Sequence, residues 1–257
     1  MPRAARMRSE TNIYHIMLRG INHQTIFEDD NDYYKFITLL STSKKELGFE
    51  IFAYCLMNNH VHLVLRAPLS ELEIIFKKVT GPFASFYNYK YERCGHLFQD
   101  RYKSEAINSE SQLFQTIKYV HFNPVKAGLC GDPADYRFSS YSEYLYFENS
   151  SLCDLDLIFG MIDYDEFINL HKAASDYACM DLDTQRFFLN DDQAKRVIEQ
   201  EFQNTDRSYF NSLNKADRDK CIRRLRELKL TIKQISRLTG IGISVVKKAS
   251  AQKETPA

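Results

Sequence analysis

Two histidines, His60 and His62, lie on either side of a single valine within an apolar run. On a β-strand, residues i and i+2 project from the same face, so the two imidazoles would lie side by side. Paired neutral imidazoles bind divalent metal ions, although half-buried strands also carry histidines for hydrogen bonding alone. The spacing therefore leaves both a metal site and a hydrogen-bonded core open.

A second pair of residues with suitable chemistry, Tyr119 and Asn123, lies in the segment KYVHFNPVKAGL. On a helix these residues share a face because they are four positions apart. The phenol would then lie beside a carboxamide oxygen, which could complete a metal site. A tyrosine on an amphipathic helix is more often a core or interface residue, so this pair alone also leaves two interpretations open.

The elements that must position these residues follow from hydrophobic periodicity and turn signals. Strands are expected over residues 13–18, 49–56 and 60–65, and an extended segment over 96–107. The residues Met57-Asn58-Asn59 are expected to join the second and third strands in a tight hairpin. Helices are expected over 30–47, closed by Gly48, over 69–91, with Gly81-Pro82 as a candidate break, and over 111–123, ending before Pro124. The order predicts an α+β domain over residues 1–145, in which helices pack on an antiparallel sheet.

Charge is unevenly distributed, although the net charge is zero. Residues 131–215 hold 17 Asp and Glu against 7 Lys and Arg, whereas residues 216–257 hold 11 Lys and Arg against 4 Asp and Glu. Phosphate contacts are therefore expected at the basic ends of the chain. Residues 146–215 are expected to form an acidic helical connecting region without a recognisable motif.

The basic segment 216–257 has the pattern of a helix-turn-helix tail. Thr231 is a suitable N-cap for one helix, Gly240-Ile241-Gly242 forms a turn, and Ser244 can cap the next helix. That helix carries Lys247 and Lys248, and Ser244, Lys247 and Lys248 are its candidates for DNA contact. A plain helical hairpin with a solvated basic face is the alternative.

The cysteines and the apolar runs favour a cytoplasmic chain. The six cysteines are scattered without a CxxC pair, which argues against a cysteine-based zinc site and is consistent with reduced thiols. No apolar run approaches the roughly 20 residues that span a bilayer, and the basic N-terminus lacks the apolar stretch of a signal peptide. No membrane partner is expected.

The run FAYCLMNNHVHLVL resembles the HUH strand of single-tyrosine transposases, and especially of REP-associated tyrosine transposases. Four further segments follow that family's order and spacing. They are YHIMLRGINHQTIF near the start, GHLFQDRYKSEAI at 95–107, YVHFNPVKAGL at 119–129 and YRFSSYSEYL at 136–145. The resemblance covers roughly residues 10–145, and its specificity comes from five segments in order.

This resemblance implies a role for each residue of the two pairs. His60 and His62 match the histidines that hold Mg²⁺ or Mn²⁺, and Asn123 matches a third, polar ligand. Tyr119 matches the nucleophile, whose attack on a phosphate leaves a 5′-phosphotyrosine and a free 3′-hydroxyl. The implied substrate is single-stranded or hairpin-forming, REP-like DNA in transposition. Family members that work as dimers place the tyrosine helix in trans, so a homodimer also stays open.

Four residues near the expected strands are candidates for DNA contact. Arg19 follows the first strand and could line the site, while Arg101, Tyr102 and Lys103 lie in a family-like stretch. Phosphate contact and base stacking would suit these side chains, and a sheet edge with solvated charges would suit them equally.

Three functional hypotheses fit the sequence. The first is a metal-dependent DNA transposase that uses Tyr119 as nucleophile. The second is a domesticated, catalytically silent DNA-binding protein, which the presence of all four matched site residues disfavours. The third is a phosphoesterase that uses water, which would retain activity after Tyr119→Phe.

Overall fold

Four strands form one antiparallel sheet in the computed structural model, which describes residues 7–146, 152–172, 189 and 191–251. The strands are β1 (Ile13–Arg19), β2 (Glu50–Met57), β3 (His60–Arg66) and β4 (Lys103–Ile107). Across the sheet they lie in the order β2-β3-β1-β4, so β1 and β3 are central. Nearly every residue of β1, β2 and β3 is buried, which shows that both faces of this part of the sheet are covered.

Some helices alternate with the strands along the chain, and the others follow the last strand. In order they are α1 (Asp30–Leu47), α2 (Leu72–Lys90), α3 (Glu110–Lys126), α4 (Tyr141–Leu145), α5 (Asp156–Phe159), α6 (Tyr164–Lys172), α7 (Asp191–Phe202), α8 (Arg207–Ser212), α9 (Lys215–Glu227), α10 (Ile232–Thr239) and α11 (Ile243–Ala251). The α+β class predicted from the sequence is confirmed, with helices around an antiparallel sheet followed by helices alone. Within the described ranges, no helix is long and apolar enough to cross a membrane.

The hairpin between β2 and β3 sets the position of the two histidines. Met57 pairs with His60, so the connection contains only Asn58 and Asn59. This tight turn agrees with the sequence prediction, because asparagine is favoured in two-residue hairpin loops. The close connection fixes the register of β3, and with it the face from which His60 and His62 project.

Two prolines leave their helices uninterrupted. The prediction that the third helix ends before Pro124 is wrong, and Gly81-Pro82, the candidate break in α2, does not interrupt that helix. Helix α2 runs through Pro82 without a break, and α3 runs through Pro124 to Lys126. A proline removes only the bond to the carbonyl four residues earlier. In α2 that carbonyl belongs to exposed Lys78, where water can replace the bond, and in α3 the proline lies in the last turn. Each helix therefore loses one bond and continues.

The chain forms two compact units. The first comprises Met1–Ile26 and Asn31–Gln185, and the second comprises Phe27–Asp30 and Arg186–Ala257. Helices α7 to α11 share one apolar core in the second unit, formed by Ala194, Ile198, Phe210, Cys221, Ile222, Leu225, Leu230, Ile235, Ile241, Val246 and Ala249. The helices after residue 215 thus do not form a core of their own, since Ala194, Ile198 and Phe210 complete it.

The end of the second unit follows the predicted caps in part. Thr231 caps α10 by accepting a hydrogen bond from the Gln234 amide, and the Gln234 side chain completes a capping box. Gly240 ends α10 with a φ of +76°, a left-handed conformation that glycine adopts at low cost. The prediction that Ser244 caps α11 is wrong, because the Gly242 carbonyl accepts the first helical hydrogen bonds from Val245 and Val246.

Candidate metal and nucleophile site

The antiparallel register brings three histidines to one face of the sheet. In β1 and β3, Met17 pairs with His62 and Arg19 pairs with His60. Directly paired residues share a face, and alternate residues of one strand do too, so His15 lies on the same face as His60 and His62. All three rings are buried, with exposed fractions of 0% for His15, 5% for His60 and 1% for His62.

Helix α3 covers this face and supplies the two polar residues predicted from its sequence. Its N-terminus is fixed by Ser109, whose side chain accepts a hydrogen bond from the Gln112 amide. One helical turn separates Tyr119 from Asn123, so both project towards β3. The Asn123 carboxamide lies between the histidines: its Oδ1 is 3.4 Å from His60 Nε2, and its Nδ2 donates to His62 Nε2 at 3.3 Å.

Hydrogen bonds fix the protonation pattern of His60. Its Nδ1 lies 2.6 Å from Asn59 Oδ1, while Asn59 Nδ2 is directed at the His23 carbonyl at 3.5 Å. The asparagine therefore presents its oxygen to the ring, and His60 Nδ1–H donates to it. A neutral His60 then carries its lone pair on Nε2, the atom that faces Asn123.

Burial keeps His62 neutral. Removal from water lowers the pKa of His62 well below its usual value, and the neighbouring His60 and His15 lower it further. Because Asn123 Nδ2 donates to His62 Nε2, this nitrogen also carries a lone pair. Two imidazole lone pairs therefore converge on one carboxamide.

These residues fit a divalent cation by the chemistry of their atoms. His60 Nε2, His62 Nε2 and the Asn123 carboxamide oxygen are nitrogen and oxygen atoms of the kind that bind Mg²⁺ or Mn²⁺, and both ring nitrogens lie within 3.4 Å of the Asn123 carboxamide. Among the described residues, no three His, Cys, Asp or Glu side chains form a metal-binding group, so Asn123 is needed to reach three donors.

Tyr119 lies against His62 and His15. Its ring centroid is 5.7 Å from that of His62 and 5.9 Å from that of His15, both in edge-to-face geometry. Tyr119 is 4% exposed, and the ammonium of exposed Lys126 lies 4.6 Å from the centre of its ring. This cation would stabilise negative charge on the phenol, and it marks the side from which an anion can approach.

Comparisons with known proteins relate part of this chain to transposases. Residues 9–123 match the family model described as "Transposase IS200 like". This segment, less than half of the chain, is similar to IS200-like transposase domains. The matched segment includes strands β1 and β3 and the site residues Tyr119 and Asn123.

Individual relatives are distant in sequence. A REP-associated tyrosine transposase of Haemophilus influenzae is 26% identical over 36% of this chain, and the match spans 59% of the length of that relative. The solved structure of a REP-associated tyrosine transposase bound to a REP hairpin is 18% identical, with a TM-score of 0.47 over 59% of this chain and 89% of the other. A transposase from Deinococcus radiodurans is 19% identical, with a TM-score of 0.33 over 46% of this chain and 95% of the other.

The predicted DNA-contacting residues near the sheet are not equally accessible. Arg19 pairs with His60 at the end of β1, and its guanidinium contacts the His23 ring. Arg101 and Lys103 are exposed, and Lys103 projects from the same sheet face as the histidines because it pairs with Met17. Tyr102 differs: it is 6% exposed, and its ring lies 4.6 Å from that of Phe76. This packing favours a core role for Tyr102 over base stacking.

Three predicted contacts lie outside the matched residues 9–123, in the second compact unit. Ser244, Lys247 and Lys248 are exposed on α11, which follows the Gly240–Gly242 turn. Their apolar neighbour Val246 is buried in the core of that unit. The exposed polar face is thus available for a ligand.

Two residues of the site were missed by sequence reasoning. His15 approaches His62, with His15 Nε2 2.9 Å from His62 Nδ1, and Glu105 Oε2 lies 3.4 Å from His15 Nδ1. A histidine at a same-face position of the first predicted strand was the available signal. That signal alone could not place His15 in the site, because 47 residues separate His15 from His62 in the chain and only the strand pairing brings them together.

Proposed function

We propose that this protein is a metal-dependent single-strand DNA endonuclease and transferase that uses Tyr119 as nucleophile in DNA transposition. One observation carries the proposal: the Tyr119 ring packs against His62, and His62 Nε2 and His60 Nε2 both lie at the Asn123 carboxamide. An IS200-like family match over residues 9–123 supports the same reaction class. The alternative is a DNA-binding protein that does not cleave.

The proposed step exchanges one phosphodiester for another. The phenolic oxygen of Tyr119 attacks the phosphorus, the bond from phosphorus to the 3′-oxygen breaks, and the 3′-oxygen leaves with a proton. The product is a 5′-phosphotyrosine and a free 3′-hydroxyl. Attack by another 3′-hydroxyl then restores the tyrosine, so strand joining needs no nucleotide triphosphate.

The surrounding side chains prepare Tyr119 and its substrate. His60, His62 and Asn123 would hold Mg²⁺ or Mn²⁺, which supplies Lewis-acid polarisation of the scissile phosphate when bound. The edge-to-face contact with His62 holds the Tyr119 ring beside these ligands, and Lys126 offsets negative charge that develops on the phenolic oxygen.

The proposed substrate is single-stranded or hairpin DNA. Arg19, Arg101 and Lys103 would contact the phosphates near the sheet, and Ser244, Lys247 and Lys248 would contact them from the proposed helix-turn-helix. The solved relative bound to a REP hairpin supports this substrate class for the present chain. Tyr102 is left out of the proposed contacts because its ring packs on Phe76.

The decisive experiment looks for a covalent adduct. The protein is incubated with labelled hairpin DNA, taken from repeats near its own gene, and Mg²⁺ or Mn²⁺, and the products are separated on a denaturing gel. We expect an adduct that disappears with chelator and in Tyr119→Phe, whereas Tyr89→Phe, which alters an exposed tyrosine of α2, retains it. DNA binding without an adduct would favour the silent DNA-binding protein, and cleavage by Tyr119→Phe would favour attack by water.

A second experiment tests the tail. The double variant Lys247→Gln/Lys248→Gln should bind hairpin DNA with a weaker salt dependence, by up to about 0.9 in logarithmic slope for each phosphate that the tail no longer neutralises. The control variant Lys45→Gln removes an exposed lysine of α1 that has no proposed role in DNA binding. Equal slopes for the double variant and the wild type would remove α11 from the DNA interface.

A further inference from the structure

A continuous line of side chains connects the sheet edge to the candidate metal ligand His62. Glu105, on edge strand β4, lies 3.4 Å from His15 Nδ1, and His15 Nε2 lies 2.9 Å from His62 Nδ1. The two imidazole rings are inclined by only 18°. The ring centroids lie 5.2 Å apart while the two nitrogens are only 2.9 Å apart, so the rings meet edge to edge through these nitrogens. The geometry is therefore that of a hydrogen bond rather than of two rings packed face to face.

The Glu105 carboxylate has no proton to donate in a hydrogen bond, and this fixes the direction of each hydrogen bond in the line. The Glu105 carboxylate accepts, so His15 Nδ1–H donates to it. Neutral His15 then has a lone pair on Nε2, which accepts from His62 Nδ1–H. His62, with its proton on Nδ1, must carry its lone pair on Nε2, the nitrogen that faces Asn123.

We infer that Glu105 and His15 are positioning residues that hold His62 in the tautomer able to bind a metal ion through Nε2. This inference rests on the proposed function, in which His62 is a ligand. Free neutral imidazole is not restricted to this tautomer, and a ring in the other tautomer would present N–H, which cannot coordinate. Partners beyond the first ligand shell of this kind orient the ring and contribute to metal affinity.

The two ligand histidines are thus fixed by different means. His60 donates to the neighbouring Asn59 side chain at the hairpin turn, whereas His62 depends on residues from two other strands. Glu105 has a side-chain exposure of 35%, and His15 is fully buried. The carboxylate end of the line therefore stays hydrated at the sheet edge, and the imidazole rings lie in the buried part.

The test combines a spectrum with a binding measurement on the full-length protein. Histidine ¹⁵N shifts in two-bond ¹H–¹⁵N spectra report which ring nitrogen carries the proton, and His62→Gln identifies the His62 signals. We expect Nδ1–H for His62 in the metal-free wild type and a shift towards Nε2–H in His15→Phe, which keeps a ring but removes the acceptor. Mn²⁺ binding, followed by electron paramagnetic resonance, should weaken about 10-fold or more in the same variant.

A milder variant and matched controls keep the test decisive if His15→Phe folds poorly. Glu105→Gln removes the charge but retains an oxygen acceptor, so both readouts should change in the same direction by a smaller amount. The controls His96→Phe and Glu73→Gln make the same substitutions at exposed positions and should leave both readouts unchanged.

The outcomes separate this inference from the proposed function. Nε2–H on His62 in the wild type would overturn the inference, as would a His15→Phe variant with an unchanged tautomer or with unchanged Mn²⁺ affinity. A wild type with Nδ1–H on His62 that binds no Mn²⁺ would overturn the metal site of the proposed function. In that case the spectrum of His15→Phe alone would confirm or overturn the inference that His15 holds the Nδ1–H tautomer of His62.

Discussion

Two buried histidine clusters in the first compact unit can be compared directly. The sheet cluster consists of His15, His60 and His62, and the helix cluster consists of His121 on α3 and His171 on α6. In both clusters burial lowers histidine pKa values, and for His62 and His121 the pKa lies well below its usual value. Both clusters also contact aromatic rings. Burial and neutrality are therefore shared and do not distinguish a candidate site from a core.

The hydrogen bonds differ between the clusters. In the helix cluster, His171 Nδ1 donates to the Phe167 carbonyl at 3.0 Å, and His171 Nε2 accepts from His121 Nδ1 at 3.0 Å. The remaining nitrogen, His121 Nε2, lies 2.9 Å from the Ser140 hydroxyl oxygen. Every ring nitrogen thus has a partner of matching chemistry, and His121 has no nitrogen left to act as a base for Tyr119.

In the sheet cluster, by contrast, His60 Nε2 and His62 Nε2 both lie at the Asn123 carboxamide, at 3.4 Å and 3.3 Å. Helix α3 carries both arrangements within three residues, since His121 and Asn123 belong to different clusters. Two ring nitrogens that converge on one carboxamide, rather than burial, separate the candidate ligand pair from the structural histidine pair.

The largest expected effect is on metal binding by the sheet cluster. His60→Gln should weaken Mn²⁺ affinity by on the order of 100-fold or more, since it removes a direct ligand rather than an outer partner. The covalent DNA adduct should disappear in the same variant. Titration of Mn²⁺ by electron paramagnetic resonance checks this, with His96→Gln as the control. Wild-type affinity in His60→Gln would show that the sheet cluster is a structural core like the helix cluster.

The next effect is on stability and concerns the helix cluster. His121→Leu should lower the free energy of unfolding by about 3 kcal/mol, because His171 Nε2 and the Ser140 hydroxyl both lose a buried partner. Urea denaturation at neutral pH measures this change. Mn²⁺ affinity should stay at the wild-type value under native conditions. A stable variant that no longer binds Mn²⁺ would reverse the roles assigned to the two clusters.

The smallest effect is a pH dependence that belongs to His171. Burial lowers its pKa to about 4, with a further lowering by Lys118 and an opposing contribution from the Phe167 carbonyl. Its unfolded value is near 6.5, so the unfolded chain binds more protons between these values, and stability falls as the pH falls from about 6.5 towards 4. Between pH 7 and pH 5 this group should contribute a loss of about 2 kcal/mol.

Urea denaturation at pH 7 and pH 5 checks that value against a variant. His171→Phe removes the titrating group while it keeps a ring beside Phe167 and Tyr141, so its loss of stability between the two pH values should be about 2 kcal/mol smaller than that of the wild type. An equal loss in both proteins would mean that His171 is not buried as a neutral ring in the fold.

Much of the fold followed from local patterns. Helix α1 begins and ends where hydrophobic periodicity and Gly48 predicted, and the two asparagines after Met57 predicted the tight hairpin. The predicted helix end before Pro124 was wrong, and the candidate break at Pro82 is absent, because a proline's effect depends on where the missing bond lies. Local sequence does not report whether water reaches that carbonyl or whether the helix ends within the next turn.

The sequence by itself determined which residues share a face: His60 with His62 by the strand period, and Tyr119 with Asn123 by the helix period. Only the tertiary structure decided that these faces meet, that His15 and Glu105 join them, and that Tyr102 is buried against Phe76. The physical reason is that periodicity is a property of adjacent residues in one element. The partner across a sheet is set by the register of strands far apart in the chain, and burial is set by whatever packs on them.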